Sequence, residues 1–201
     1  MKRIFVLKAS TAITSPNFLL RNVAGTSGRL DVVCRCILSA FRVDGLIRNY
    51  VDFYAVLEGP PSPGKVLSVH GSLLRGLPES EVEVASIIRD LLAMGEGLHP
   101  NNPAFRIDKG DFRRLILNLV SSGVKLLYLH ERGIPIERLK FDFKSSHAFI
   151  LGDHLGLDAG SERFLDSIGA GRVSLGPLSY LASHCITILH EELDRMVNFS
   201  P

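Results

Sequence analysis

The apolar positions of this 201-residue chain fall into short runs separated by Gly, Pro, Ser and Asn. Residues 2–8 alternate weakly and predict a first strand. Residues 9–28 are rich in Ser, Thr, Asn, Pro and Gly and predict a long loop, which in a compact domain marks a functional or mobile segment. Leu30, Val33, Cys34, Ile37, Leu38 and Phe41 then recur at helical spacing, with Ser27 as the N-cap. Residues 50–57 are β-branched and aromatic, 59–64 (Gly-Pro-Pro-Ser-Pro-Gly) form a turn signal, and 65–70 read as the return strand of a hairpin. Residues 79–94 predict a helix with an apolar face of Val82, Val84, Ile87, Ile88, Leu91 and Leu92 and an acidic first turn that suits the helix dipole. Residues 95–103 end it.

From Phe112 the pattern becomes regular. A helix over 112–120, a buried strand over 125–129 and a second buried strand over 148–151 ending in Gly152 follow one another. A short helix over 162–168, a short strand over 171–174 and a terminal helix over 178–196 complete the chain. Strands alternating with helices predict an α/β fold with a mainly parallel sheet. No linker or repeat divides the chain, so 1–201 reads as one domain.

Composition narrows the classes. Apolar residues make up 46% and charged residues 22%, enough for a sizeable core and against long disorder. There is no apolar run of membrane-spanning length, and residues 4–7 are too short for the core of a signal peptide. Three cysteines cannot all pair within the chain, which fits a reducing, cytoplasmic setting. The net charge of +2 hides an asymmetry. Residues 1–51 carry Lys2, Arg3, Lys8, Arg21, Arg29, Arg35, Arg42 and Arg48 against only Asp31 and Asp44. A basic quarter of this kind is what a phosphate backbone attracts; the alternative is arginines scattered over a solvated face.

Three strand ends carry the candidate chemistry: Leu-Tyr-Leu-His over 127–130, Phe-Ile-Leu-Gly-Asp-His-Leu-Gly over 149–156, and Arg-Val-Ser-Leu-Gly-Pro-Leu over 172–178. Ligands of parallel sheets bind at the carboxyl ends of strands. These motifs, with Ser-His-Cys-Ile-Thr over 183–187, resemble the SPOUT superfamily of methyltransferases. Adding Gly-Thr-Ser-Gly-Arg-Leu-Asp over 25–31 and Cys-Arg-Cys over 34–36, the chain resembles the archaeal TrmY family, tRNA pseudouridine N1-methyltransferases. The resemblance runs from Phe5 to about Asp194.

The resemblance implies a SPOUT-type fold with a C-terminal trefoil knot, an N-terminal part (1–110) with a substrate-side loop and inserted hairpin, and a knotted cofactor-binding part (111–201). It implies S-adenosyl-L-methionine as cofactor, held mostly by backbone at Leu129, Gly152, Val173, Ser174, Leu175, Gly176, Pro177 and Leu178, with Cys185 on the following helix. It implies a homodimer acting on tRNA at position 54 of the T-loop. Asp31 is the candidate to orient or deprotonate the acceptor nitrogen. Arg29 is the candidate to meet a phosphate or base carbonyl, and Arg35 to meet RNA. The bland alternatives are that Asp31 complements the helix dipole and that Arg29 is merely solvated.

Other readings remain open: a ribosomal RNA pseudouridine methyltransferase, a non-catalytic RNA-binding assembly factor of the same fold, and a zinc hydrolase built from His130, His154, His184 and His190. None of these histidines pairs at i, i+4, so no metal is expected. Cys34 and Cys36 point about 200° apart on a helix and cannot share one ion comfortably; Cys34 reads as core, and Cys185 as packing beside the cofactor. His154 and Asp153 read as organisers of their turn. The apolar width of the terminal helix suits burial on two sides, by the sheet and by a partner.

Overall fold

The structure is a computed structural model and describes residues 2–198. In chain order the elements are β1 (Arg3–Ala9), α1 (Val23–Thr26), α2 (Leu30–Phe41), β2 (Arg42–Val43), β3 (Leu46–Ile47), β4 (Val51–Leu57), β5 (Lys65–His70), α3 (Glu81–Met94), β6 (Gly97–His99), β7 (Asn102–Lys109), α4 (Phe112–Ser121), β8 (Lys125–Pro135), β9 (His147–Gly152), α5 (Ala159–Ser167), β10 (Gly171–Ser174) and α6 (Ala182–Asn198). Eight strands form one sheet in the order β10-β8-β9-β1-β4-β5-β7-β6. The first five are parallel neighbours, and β5, β7 and β6 extend the sheet antiparallel. The α/β expectation holds, with a mixed rather than purely alternating sheet.

Every residue of β1 is buried, because both faces of the sheet are covered. Phe5, Leu7 and Ala9 face the core shared with α2, α3 and α6, while Ile4 and Val6 face the core shared with α4 and α5. Each covering helix has a local reason to start where it does. Ser80 accepts from the Glu83 amide while Glu83 accepts from the Glu79 amide, a reciprocal cap that opens α3 at Glu81. Asp111 caps α4 through the Arg114 amide, and Asp158 caps α5 through the Gly160 and Ser161 amides. Ser27, expected as the N-cap of α2, is instead the C-cap of α1, and Arg29 holds the N-cap position without a side-chain cap; Ser27 Oγ still accepts from the Leu30 amide at 3.1 Å. Arg29 then enters the helix in left-handed conformation, φ 71°.

Three departures from the sequence reading have physical causes. Strand β6 lies within the expected break over 95–103, and β7 runs on from it through a stretch where no element is expected, because Asn102 and Pro103 disguise its start, near which proline is tolerated. The strand expected over 125–129 continues to Pro135 and is mostly not buried. The terminal helix begins at Ala182, not 178: Leu178 and Leu181 continue its apolar spacing but belong to an exposed loop. Among the described residues no helix is long and apolar enough to cross a membrane.

Candidate active site

Because β1, β9, β8 and β10 are parallel, their carboxyl ends meet at one edge of the sheet. The loop leaving β1 leads to α2, so Arg29 at the helix start stands at the same edge. There a cavity of about 770 Å³ opens, within the range of small-molecule sites.

One wall comes from three strand ends. At the end of β8, the register against β10 jumps: Tyr128 lies opposite Arg172, yet Val173 lies opposite Ile134. Residues 129–133 therefore swing out of the sheet. Gly133 brings the chain back so closely that a Cβ there would stand 2.5 Å from the Val173 carbonyl carbon. At the end of β9, a Cβ on Gly152 would stand 2.1 Å from the Gly156 carbonyl carbon, so only glycine fits this turn. Asp153 ties the turn down, its Oδ1 accepting from the Leu155 amide (2.9 Å) and its Oδ2 from the Ser10 amide at the end of β1 (2.7 Å). At the end of β10, Ser174 Oγ accepts from the Gly176 amide at 3.2 Å.

Of the residues expected to hold the cofactor, Leu129, Gly152, Val173, Ser174, Leu175, Gly176, Leu178 and Cys185 all line this cavity. Pro177 is exposed and stands beside the wall, not on it. The opposite rim is charged. Arg29 and Arg35 line it, with Asp31 buried behind them. Asp31 accepts from Arg29 Nε at 3.0 Å, from a second Arg29 nitrogen at 3.1 Å, and from Arg35 at 2.7 Å; Arg35 also reaches Glu81 at 3.3 Å. Burial alone would raise the Asp31 carboxyl, but the two guanidinium groups outweigh it and hold it below the usual range. Burial pushes the Cys185 thiol up to about 11, so it is a packing group rather than a thiolate. Cys34 and Cys36 are both fully buried.

The strand-end motifs located most of the wall, but the cofactor assignment left out His130 (itself within a motif) and Glu131, together with Leu155, Leu157, Glu162 and Tyr180, which line it too. The signal for the first two was the swing of β8, which no periodicity encodes. Among the described residues, no three His, Cys, Asp or Glu side chains gather as a metal site would require.

The architecture is a SPOUT-like one. It matches a crystal structure of Archaeoglobus fulgidus Nep1 bound to S-adenosylhomocysteine with a TM-score of 0.66, covering 98% of this chain and all of that one at 17% identity. That likeness defines the fold. The chain belongs to the family described as "Putative SAM-dependent RNA methyltransferase", whose sequence profile matches residues 2–198. It is 38% identical over 194 residues to the tRNA (pseudouridine(54)-N(1))-methyltransferase of Methanococcus vannielii, covering 96% of this chain and 98% of the relative. It is 39% identical over 204 residues to the enzyme of the same name from Thermococcus gammatolerans, covering 98% of each. The Methanocaldococcus jannaschii relative of that name is 38% identical over 201 residues, covering 96% of this chain and 97% of the relative.

Proposed function

We propose that the chain transfers a methyl group from S-adenosylmethionine to N1 of pseudouridine 54 in the tRNA T-loop. The observation that carries this reading is one cavity in which a wall of close backbone turns at strand ends faces a rim of arginines, in a chain whose full-length relatives bear that activity in their names.

The wall fits the methyl donor. Turns at 152–156 and 173–178 bring backbone to the wall, where peptide N–H and C=O groups can meet the donors and acceptors of an adenine, and Leu129, Leu157 and Leu175 offer apolar surface. Bound there, the donor supplies an electrophilic methyl on its sulfonium, so the protein's task is alignment. Arg29 and Arg35 hold phosphate or base carbonyl oxygens of the RNA. Asp31 orients the two arginines. A carboxylate held this low is a weak base, and three of its lone-pair positions are already taken, which favours orienting over deprotonating. The target base must leave its stack to reach the cavity.

The same reading assigns 1–110 to the substrate and 111–201 to the donor, within one domain. It gives the C-terminal part a knot: β10 runs close against Gly133, where the swing of residues 129–133 returns, and the chain then continues to α6, which packs on α2. It makes the working form a homodimer, whose partner would cover the exposed Leu155, Leu178, Tyr180 and Leu181 around the cavity. A monomeric mass by light scattering would overturn the dimer. Acting on tRNA places the protein in the cytoplasm.

The test is nucleoside mass spectrometry after incubation with donor and tRNA carrying either pseudouridine or uridine at position 54. N1-methylpseudouridine is expected from the first tRNA and no product from the second. Equal methylation of both would overturn the reading, because uridine has no N1–H to replace.

A further inference from the structure

Glu131, Asp153 and Glu162 are the carboxylates on the donor side of the cavity. Asp153 is committed to its turn, through the amides of Ser10 and Leu155. Glu131 is exposed. Glu162 is half-buried, and among the described residues its carboxylate meets only His130 Nε2, at 3.9 Å. That gap is too long for a hydrogen bond. Two polar groups thus face the cavity side by side without satisfying each other.

Both are held in place. Glu162 lies in the first turn of α5, whose cap Asp158 is fixed to the buried Lys8 of β1 by an ion pair of 2.9 Å. His130 Nδ1 accepts from the Arg132 amide at 2.9 Å, and its ring stands edge-on to Tyr128, centroids 6.2 Å apart. With Nδ1 committed as acceptor, the neutral ring carries its hydrogen on Nε2, on the side of Glu162.

We propose that Glu162 and His130 together bind the ribose diol of the methyl donor, Glu162 accepting from one hydroxyl and His130 Nε2–H donating to the other. This rests on the donor-pocket reading above. A hydroxyl both donates and accepts, and the pair offers one acceptor and one donor in adjacent positions. The donor's amino-acid end could satisfy the pair only by bringing its ammonium to Glu162 and its carboxylate to His130 at once, and 5′-methylthioadenosine, which lacks that end, separates the two arrangements. The adenine edge is matched by peptide groups of the turns.

The test is calorimetric binding of three ligands to wild type, Glu162→Gln and His130→Asn, with thermal unfolding to check each fold. Asparagine keeps an acceptor for the Arg132 amide and removes the Nε2–H. S-adenosylhomocysteine is expected to lose about tenfold in affinity with Glu162→Gln and about threefold with His130→Asn. 5′-Methylthioadenosine, which keeps the diol and lacks the amino-acid end, is expected to lose the same factors. A 2′,3′-dideoxy analogue of S-adenosylhomocysteine is expected to bind wild type and both variants alike. Unchanged affinity of Glu162→Gln for S-adenosylhomocysteine overturns the inference. A loss that vanishes with 5′-methylthioadenosine also overturns it, and moves the contact to the amino-acid end. A wild type that binds none of the ligands overturns the donor pocket itself.

Discussion

The turns at 152–156 and 173–178 meet the cluster of Arg29, Asp31 and Arg35 across one cavity, yet the two are built from different materials. The turns work through backbone shape. Apart from Asp153 and His154 their side chains are small or apolar, and the decisive features are the close approaches at Gly152 and, from the neighbouring swing of β8, at Gly133, which a Cβ would block. The cluster works through side-chain charge: one buried carboxylate gathers two guanidinium groups and aims them outward. The two sides should therefore fail differently. A methyl group added to the first destroys its shape, whereas a charge removed from the second leaves the shape and loses the grip on RNA.

The largest effect should come from Gly152→Ala. With its new carbon 2.1 Å from the Gly156 backbone, the turn must open, and S-adenosylhomocysteine affinity should fall on the order of 100-fold by calorimetry. Unchanged affinity would mean that this turn does not shape the donor site. Next is Asp31→Asn, which should lower turnover about 30-fold, or ~2 kcal/mol, by releasing both arginines, while donor affinity stays within about twofold. Full turnover would remove Asp31 from the mechanism.

Arg29→Gly separates strain from charge. Glycine adopts the left-handed φ of 71° without steric strain, which offsets the hydrogen bonds lost to the buried Asp31, so stability should change by no more than about 1 kcal/mol. Binding to tRNA should still weaken about tenfold, and the salt dependence should lose about one phosphate contact. A fall in stability with unchanged RNA binding would reverse the assignment.

The effect that touches the cavity least lies away from both sides and is read in stability rather than binding. His190 on α6 is buried against β1, accepting from Arg3 at 2.9 Å and lying 3.0 Å from the Ala40 carbonyl. Burial first, then the Arg48 and Arg3 charges, hold it down to about 3. Its folded pKa is thus below its unfolded value of about 6.5, and the unfolded chain binds the extra proton between them. Stability should fall as pH drops from about 6.5 towards 3, by at most about 1.4 kcal/mol per pH unit. Melting temperatures of wild type and His190→Gln across this window check it; parallel curves would exclude His190 as the cause.

The same contrast explains what could be read from the sequence. The donor side was largely legible, because glycines after apolar strands mark both the sheet edge and the close turns, and Gly152 stands where such a turn must be. Arg29, Asp31 and Arg35 were legible as charges, and Asp31 and Arg35 stand at ordinary i, i+4 helix spacing, but the pairing of Arg29 with Asp31 was not legible, since Arg29 enters α2 in left-handed conformation. His130 and Glu162 were not legible as a pair. Their meeting needs the jump in register between β8 and β10, and strand periodicity carries no record of where a strand leaves its sheet. Leu178 and Leu181 misled for the opposite reason: loop side chains happened to keep helical spacing.

The most direct test of the division is the S-adenosylhomocysteine affinity of a triple variant, Arg29→Ala, Asp31→Asn and Arg35→Ala, measured beside its methylation of tRNA. Changing all three together avoids leaving the buried Asp31 charge unpaired. Donor affinity within about threefold of wild type, with methylation lost, is the expected result. Donor affinity that collapses together with methylation would contradict it.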